Sequence, residues 1–327
     1  MPVIFLSHFG RHKIGHQRKL EFHFSFRLQD LTSQPSPVVR VSVGGNDGNL
    51  PQFFFRAVPF IVKSPDITMP MCEDKALKAT AILQGRMGST RLPGKVFLPL
   101  AGKPVIQHVY ERILNCRNID RIIVATTKED QDDCIVELFD GLGVAVFRGS
   151  NKDPLDRYYQ AATEYRASDV VRIMSDCPLV DPGIVDLVIE KYFDGNLDLC
   201  SLGGEFPSGL DVTVFSYQAL QRCWRDSRLA SDREHITSYM SKNPHLFKLG
   251  VVDFFQGLLH HRWTMDREAD YQFMLEIYGA LYDRDSLFDY EDILNLLDEK
   301  PQLYQINADL PRDEGIRTAV DQDYEMY

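Results

Sequence analysis

A chain of 327 residues, 44% hydrophobic and 25% charged, has the balance of an ordinary folded protein, with room for one large domain or two small ones. Its formal net charge of -11 argues against nucleic-acid binding, which asks for a basic surface to displace counterions. No apolar run is long enough to cross a bilayer, and the six cysteines stand singly with no C-x-x-C pair, which fits a reducing, cytoplasmic setting without disulfides or zinc.

The charge is unevenly spread: residues 1–68 hold 8 Lys+Arg against 4 Asp+Glu, net +4, and the rest holds 28 against 43, net -15. Pro35, Pro37, Pro51, Pro59, Pro65 and the turn cluster at 44–48 interrupt any period in the first part. The expected organisation is a poorly patterned extension over 1–70 and one folded domain over 71–327. Three readings of the extension stay open: a targeting segment, a small accessory domain, or sequence upstream of a start at Met69 or Met71.

From residue 74 strand and helix patterns alternate. Residues 79–83 read as a buried strand, followed by a glycine-rich loop and a helix over 104–116. RIIVATT at 121–127 predicts a second strand, 129–142 a helix, and 144–147 a third strand. Asp153-Pro154 opens a helix through Tyr165, and Asp181-Pro182 opens another to Phe193, since Asp caps and Pro fits the first helical position. Between them DVVRIM at 169–174 is a fourth strand. Continuous apolar strands alternating with helices imply an α/β, three-layer, Rossmann-like fold with a mostly parallel sheet. Ligands of such sheets bind beyond the carboxyl ends of the strands, where strand order switches. Later strands are expected at 197–202, 210–215, 249–253 and 261–264, some antiparallel, with a lid or dimer hairpin near 203–214. Helices are expected at 267–282, 290–297 and 313–320.

The loop after the first strand is Gln84-Gly85-Arg86-Met87-Gly88-Ser89-Thr90-Arg91-Leu92-Pro93-Gly94-Lys95. Its glycines let backbone amides face one concavity, a nest for anionic oxygens. Arg86, Arg91 and Lys95 add cations, and Ser89 and Thr90 add hydroxyls. Five residues separate Gly88 from Gly94 where a Walker A loop has four, and Val96 follows the Lys; the dinucleotide pattern G-x-G-x-x-G is absent too. A basic surface loop is the bland alternative. Three cations and three glycines directly behind a buried strand favour a polyphosphate cradle.

The run QGRMGSTRLPGKVFLPLAGKPVIQHVYERI, continued in VATTKEDQDD, FRGSNKDPLDRYYQAA, VVRIMSDCPLVDP, PSGLDVTVF, SDREHIT and RWTMDREADY, closely resembles the cytidylyltransferase family of CMP-sugar-acid synthetases. It looks most like the branch named for the spore-coat polysaccharide biosynthesis protein SpsF. The resemblance covers about residue 79 to the C-terminus; residues 1–70 have no counterpart in it. It implies CTP, magnesium and a small sugar-acid acceptor of the acylneuraminate or octulosonate kind, with pyrophosphate as leaving group, and a homodimer. It marks Arg86, Lys95 and Asp176 as the residues at the reacting phosphate.

Asp176 ends the fourth strand, where a carboxylate points into the ligand crevice; magnesium takes one or two carboxylates plus phosphate oxygens and water. A turn-forming Asp is the alternative. Asp266 resembles the family's second metal-binding Asp, against the alternative of a helix N-cap. For the nucleotide, Gln84, Gly85, Arg86, Gly88, Ser89, Thr90, Arg91 and Lys95 are joined by Thr126 at the second strand's end, by Asp156 and Arg157 through the resemblance, and by Arg172. Arg172 lies inside a strand, where a cation needs a carboxylate partner or the ligand. Gly209, Asp211, Arg233 and His235 are the acceptor-side candidates, with Glu234 read as part of a capped helix start. His260-His261 reads as packing, and the DxD matches at 130–132, 283–285 and 321–323 as solvated faces. The rivals are a sugar-nucleotide glycosyltransferase, another nucleotidyltransferase, and an inactive binding subunit.

Overall fold

The structure is a computed structural model that describes residues 38–40, 54–56, 77–312 and 323–325. The chain divides into two units, Met1–Glu73 and Asp74–Tyr327. In the first, Val38–Arg40 pairs antiparallel with Phe54–Arg56; the remainder of the expected extension, Met69 and Met71 included, lies outside the described residues.

The second unit carries a seven-stranded sheet. Its strands are β1 (Ala79–Gln84), β2 (Ile119–Thr127), β3 (Ala145–Gly149), β4 (Asp169–Met174), β5 (Leu199–Leu202), β6 (Thr213–Ser216) and β7 (Leu249–Val252), in the spatial order β7-β5-β6-β4-β1-β2-β3. β1, β2, β3 and β4 run parallel, and β6 runs antiparallel to both β4 and β5. The chain builds β1, β2 and β3 outward in one direction, then returns to place β4 on the other side of β1. The strand order therefore switches between β1 and β4, and the crevice lies above Gln84 and Met174.

The helices follow the pattern of apolar positions. α1 (Val105–Ile113), α2 (Asp133–Gly141), α4 (Pro182–Asp194) and α8 (Glu268–Leu281) bury Ile106, Phe139, Val188 and Phe273 against one face. α3 (Pro154–Glu164) and α5 (Tyr217–Asp226) cover the other with Leu155, Tyr158 and Leu220. Each large aliphatic or aromatic side chain removed from water contributes about 1.5–3 kcal/mol. The two Asp-Pro starts behave as read: Asp153 accepts from Asp156 N at 2.9 Å and Asp181 from Ile184 N at 3.0 Å. Asp181 also accepts from Tyr290 N at 3.1 Å, tying α4 to α9 (Tyr290–Glu299).

Several expectations give way. Residues 261–264 form no strand: His261, Arg262 and Trp263 are buried in succession rather than alternately, because Arg262 turns inward to Asp270, and a single bridge joins Ser208 to Arg262. Residues 210–215 become strand only from Thr213. The sequence predicts no helix at α5, which Ser216 caps by accepting from Ala219 N at 3.1 Å. The short α6 (Ala230–Glu234) starts behind Leu229, so Ser231 lies inside it rather than capping it. The helix expected at 313–320 falls outside the described residues.

Candidate active site

Gly85 follows β1 so closely beneath its neighbours that a Cβ there would meet Ile106 Cδ1 at 2.8 Å and Ser175 Oγ at 2.9 Å. Gly94, at φ 68°, turns the loop back in the left-handed region that glycine adopts freely. The loop closes on itself through Gly94 N to Met87 O (3.1 Å) and Leu92 N to Ser89 Oγ (3.3 Å). Its tether is Asp132, fully buried, which accepts from Met87 N at 2.7 Å and from the Thr127 amide and hydroxyl. The solvated-face reading of the 130–132 match is thus corrected at Asp132: its carboxylate faces inward because it satisfies amides of both loop and strand. Arg86 Nη1 reaches Asn151 Oδ1 at 2.6 Å, on the β3 side.

Beside the loop, Lys95 is 8% exposed and its ammonium lies 2.5 Å from Asp176 Oδ2 and 2.6 Å from Asp266 Oδ1. Arg91 Nη2 adds a contact to Asp266 at 2.9 Å. Met265 N donates to Asp176 O at 2.8 Å and so brings the two aspartate segments together. Asp266 is not the cap of α8: Arg267 holds that position, and buried Asp270 reaches back to Asp266 N and Arg267 N, each at 3.0 Å. Asp270 also takes Arg262 in a two-pronged pair at 2.8 and 2.9 Å. The Asp266 side chain is thereby left to face the crevice.

Burial alone would raise the Asp266 carboxyl, but Lys95 and Arg91 override it and bring it down to about 2. Burial alone would lower Lys95, and the two carboxylates outweigh it and hold it raised. Two carboxylates converging on one cation are also a hard-oxygen donor pair of the kind that suits a divalent cation. Among the described residues no group of three or more His, Cys, Asp or Glu gathers for a metal, so phosphate oxygens and water would complete the shell. Cys177, next to Asp176, is no nucleophile, since burial pushes its thiol well up.

The loop and the two aspartates open onto a cavity of about 450 Å³. The structure brings to it Gln84, Gly85, Arg86, Gly88, Ser89, Thr90, Arg91, Lys95, Arg172, Asp176, Asp211, His235 and Asp266. Ser208, Glu234, Thr237, Arg262 and Thr264 join them. Ser208 and Glu234 neighbour the acceptor-side candidates expected from the sequence, and Glu234, expected as part of a capped helix start, lines the cavity instead; Thr237, Arg262 and Thr264 carry no local signal and are brought in by the fold. Five expected residues stay outside. Thr126 is fully buried within the sheet. Asp156 accepts from Trp224 Nε1 at 2.8 Å and Gln160 Nε2 at 3.1 Å, on the flank of α3. Arg157 is fully buried, donates to Ser150 O at 2.6 Å, and is lowered by burial. Gly209, at φ 103°, lies against the Trp263 backbone, 2.3 Å from where its Cβ would be. Arg233, 4% exposed, pairs with Asp153 at 2.7 Å and donates to Trp224 O. None of the five lines the cavity.

Comparison with known proteins agrees with this geometry. The sequence profile of the family described as Cytidylyltransferase matches residues 80–312. The chain is 28% identical to the spore coat polysaccharide biosynthesis protein SpsF of Bacillus subtilis, over 67% of this chain and 94% of that protein. It is 36% identical to the 3-deoxy-manno-octulosonate cytidylyltransferase of Geobacter sulfurreducens, over 35% of this chain and 44% of that one. The solved structure of a cytidylyltransferase from Leptospira borgpetersenii superposes with a TM-score of 0.65 at 31% identity, covering 70% of this chain and 97% of that one. A profile spanning most of the second unit, on a fold that sets its loop and two aspartates around one crevice, places the chain in the cytidylyltransferase family, as a CTP-dependent nucleotidyltransferase.

Proposed function

We propose that the chain transfers CMP from CTP to the anomeric hydroxyl of a sugar acid of the acylneuraminate or octulosonate kind, releasing pyrophosphate, in the synthesis of a surface polysaccharide. The observation that carries this reading is the convergence of Lys95 on Asp176 and Asp266 beside the glycine-rich loop, with Ser208, Asp211 and His235 lining the far side of the same cavity. The name of the octulosonate relative supports the acceptor class, and that of the SpsF relative supports the polysaccharide setting.

In this reading the loop amides, Ser89, Thr90, Arg86 and Arg91 bind the triphosphate, and Lys95 offers its ammonium to the charge that builds at the α-phosphoryl group. Asp176 and Asp266 would hold magnesium. Magnesium held there supplies neutralisation of the phosphate charge. Asp211 and His235 orient acceptor hydroxyls so that the anomeric oxygen bonds to the α-phosphorus as its bond to pyrophosphate breaks. The hydroxyl proton leaves to water, and rate comes chiefly from positioning and charge.

The test is a matrix of four nucleoside triphosphates against 3-deoxy-manno-octulosonate, N-acetylneuraminate and a set of sugar 1-phosphates, read by pyrophosphate release. Release with CTP and a sugar acid is expected. Release only with UTP or GTP and a sugar 1-phosphate would sink the acceptor assignment. A homodimer joined through 203–214 belongs to the same reading, and light scattering that gives the mass of one chain removes it.

A further inference from the structure

The cations around the cavity are committed, with one exception. Arg86 holds Asn151, Arg91 and Lys95 hold the aspartates, and Arg262 is locked to Asp270. Arg172 also lines the cavity, yet among the described residues it takes part in no ion pair. Its Nε is buried without a hydrogen-bond partner, and its Nη2 meets only the thioether of Met174, at 3.2 Å. A thioether is a weak acceptor, and a half-buried guanidinium beside it is poorly compensated. Next to it Gln84 Oε1 is likewise buried and without a donor. A buried donor and a buried acceptor left open on adjacent strands describe a place that a polar ligand completes.

Its location says which part of the ligand. Arg172 stands level with Ile82, two residues down β4 from the strand end, and faces Thr213 of β6 across the sheet. It is thus at the floor of the crevice, on the β6 side. The loop cations stand at the rim, and Arg86 leans the opposite way, toward Asn151 and β3. Glu234 at the end of α6, with His235 and Thr237 after it, lines the same cavity as Arg172. A triphosphate held by the loop leaves this floor to the acceptor. The Nε edge of a guanidinium matches a carboxylate with two parallel hydrogen bonds.

We infer that Arg172 is the residue that recognises the carboxylate of the acceptor, with Gln84 Oε1 taking an adjacent hydroxyl. The role of choosing an acid over a neutral sugar then belongs to Arg172 and not to Arg233, which is spent on Asp153. This inference rests on the sugar-acid reading above.

The test compares wild type with Arg172→Met and Arg172→Lys, using CTP, magnesium and either 3-deoxy-manno-octulosonate or N-acetylneuraminate, each as the acid and as its carboxamide. Wild type is expected to favour the acid by about 10- to 100-fold in kcat/KM, in line with a charge-assisted pair. In Arg172→Met that preference collapses through a rise in acceptor KM, Arg172→Lys recovers part of it, and the Kd for CTP stays within about twofold. Arg172→Met also melts no lower than wild type without ligand, because it removes a charge that lacks a partner. A weakened CTP Kd makes Arg172 a nucleotide contact and overturns the inference. A lowered melting point makes it a structural cation and also overturns it, as does an unchanged acid preference. Wild type that releases no pyrophosphate with either acid sinks the parent reading instead, and is told apart because the unaltered enzyme is then the silent one.

Discussion

The two sides of the crevice are built on different terms. On the β1–β2–β3 side the strands are parallel, the loop's Met87 amide is held by buried Asp132, and Arg86 has its partner in Asn151. On the β4–β6 side the strands are antiparallel and the wall is a pair of crossing connections, with Ser208 N on His261 O at 3.1 Å and Trp263 N on Ser208 O at 2.6 Å. There Arg172 Nε and Ser208 Oγ are buried without partners, and so is Gln84 Oε1 at the end of β1, where the two sides meet. The first side leaves Thr126 Oγ1 and Arg157 Nε and Nη2 buried without partners, but away from the cavity. The second has its unpartnered atoms on residues that line the cavity.

The largest effect is expected at the centre that both sides share. Lys95→Met removes the ammonium between Asp176 and Asp266. The transfer rate should fall by about 10²- to 10³-fold, the range for a lost charge-stabilising donor, with acceptor KM little changed. Single-turnover measurement of CMP-sugar formation separates the two. A fall of less than tenfold would mean that the cluster is not the transfer centre.

Asp132→Ala probes the nucleotide side alone. It leaves the buried Met87 and Thr127 amides without their acceptor, for an expected loss of about 2–4 kcal/mol in urea unfolding. CTP binding by calorimetry should weaken about tenfold while the acceptor KM holds. Equal damage to both substrates would erase the distinction between the two sides.

What could be read in the sequence divides by distance along the chain rather than by side of the crevice. β1 to β4, both Asp-Pro helix starts and the loop announce themselves because each is a local pattern, periodicity or cap chemistry within a few residues. The rest is assembled from partners far apart in the chain. Arg233 looks available beside His235 until Asp153, 80 positions earlier, is found against it. Asp132 looks solvated because it sits in a run of charges, and only the return of the 45-residue-distant loop amide shows why it is buried. Arg172 is the instructive case: its place inside a strand signalled that it needs a partner, but the sheet order decides which ligand lies over it.

Gly209→Ala tests the acceptor side through its backbone. Gly209 holds φ 103°, and a Cβ there would sit 2.3 Å from Trp263 O and 2.7 Å from Thr264 N, neither of which is the flexible end of a side chain. A loss of about 2–3 kcal/mol is expected, from strain and displacement together. CTP affinity should survive in the folded fraction and acceptor KM should rise, since Ser208 and Asp211 flank the displaced residue. An undisturbed acceptor KM would show that the crossing connections do not position the acceptor.

The smallest effect concerns what stands behind that wall. His261 packs against Trp263, Tyr304 and His260, and burial, reinforced by the neighbouring His260, lowers its imidazole to about 4. The unfolded chain protonates this ring near 6.5, so between pH 6.5 and 4 the unfolded state binds a proton that the fold refuses. Its contribution to stability is fully present above about pH 6.5, falls as the pH drops toward 4, and changes no further below that. The loss amounts to about 2 kcal/mol, reduced from the full shift because the ring keeps some contact with water. His261→Phe retains the ring packing and cannot take up the proton, so its melting point should decline less than that of wild type from pH 7 to pH 4.5. Parallel decline in the two proteins would move the acid sensitivity elsewhere, to His108 within α1, whose imidazole burial also lowers.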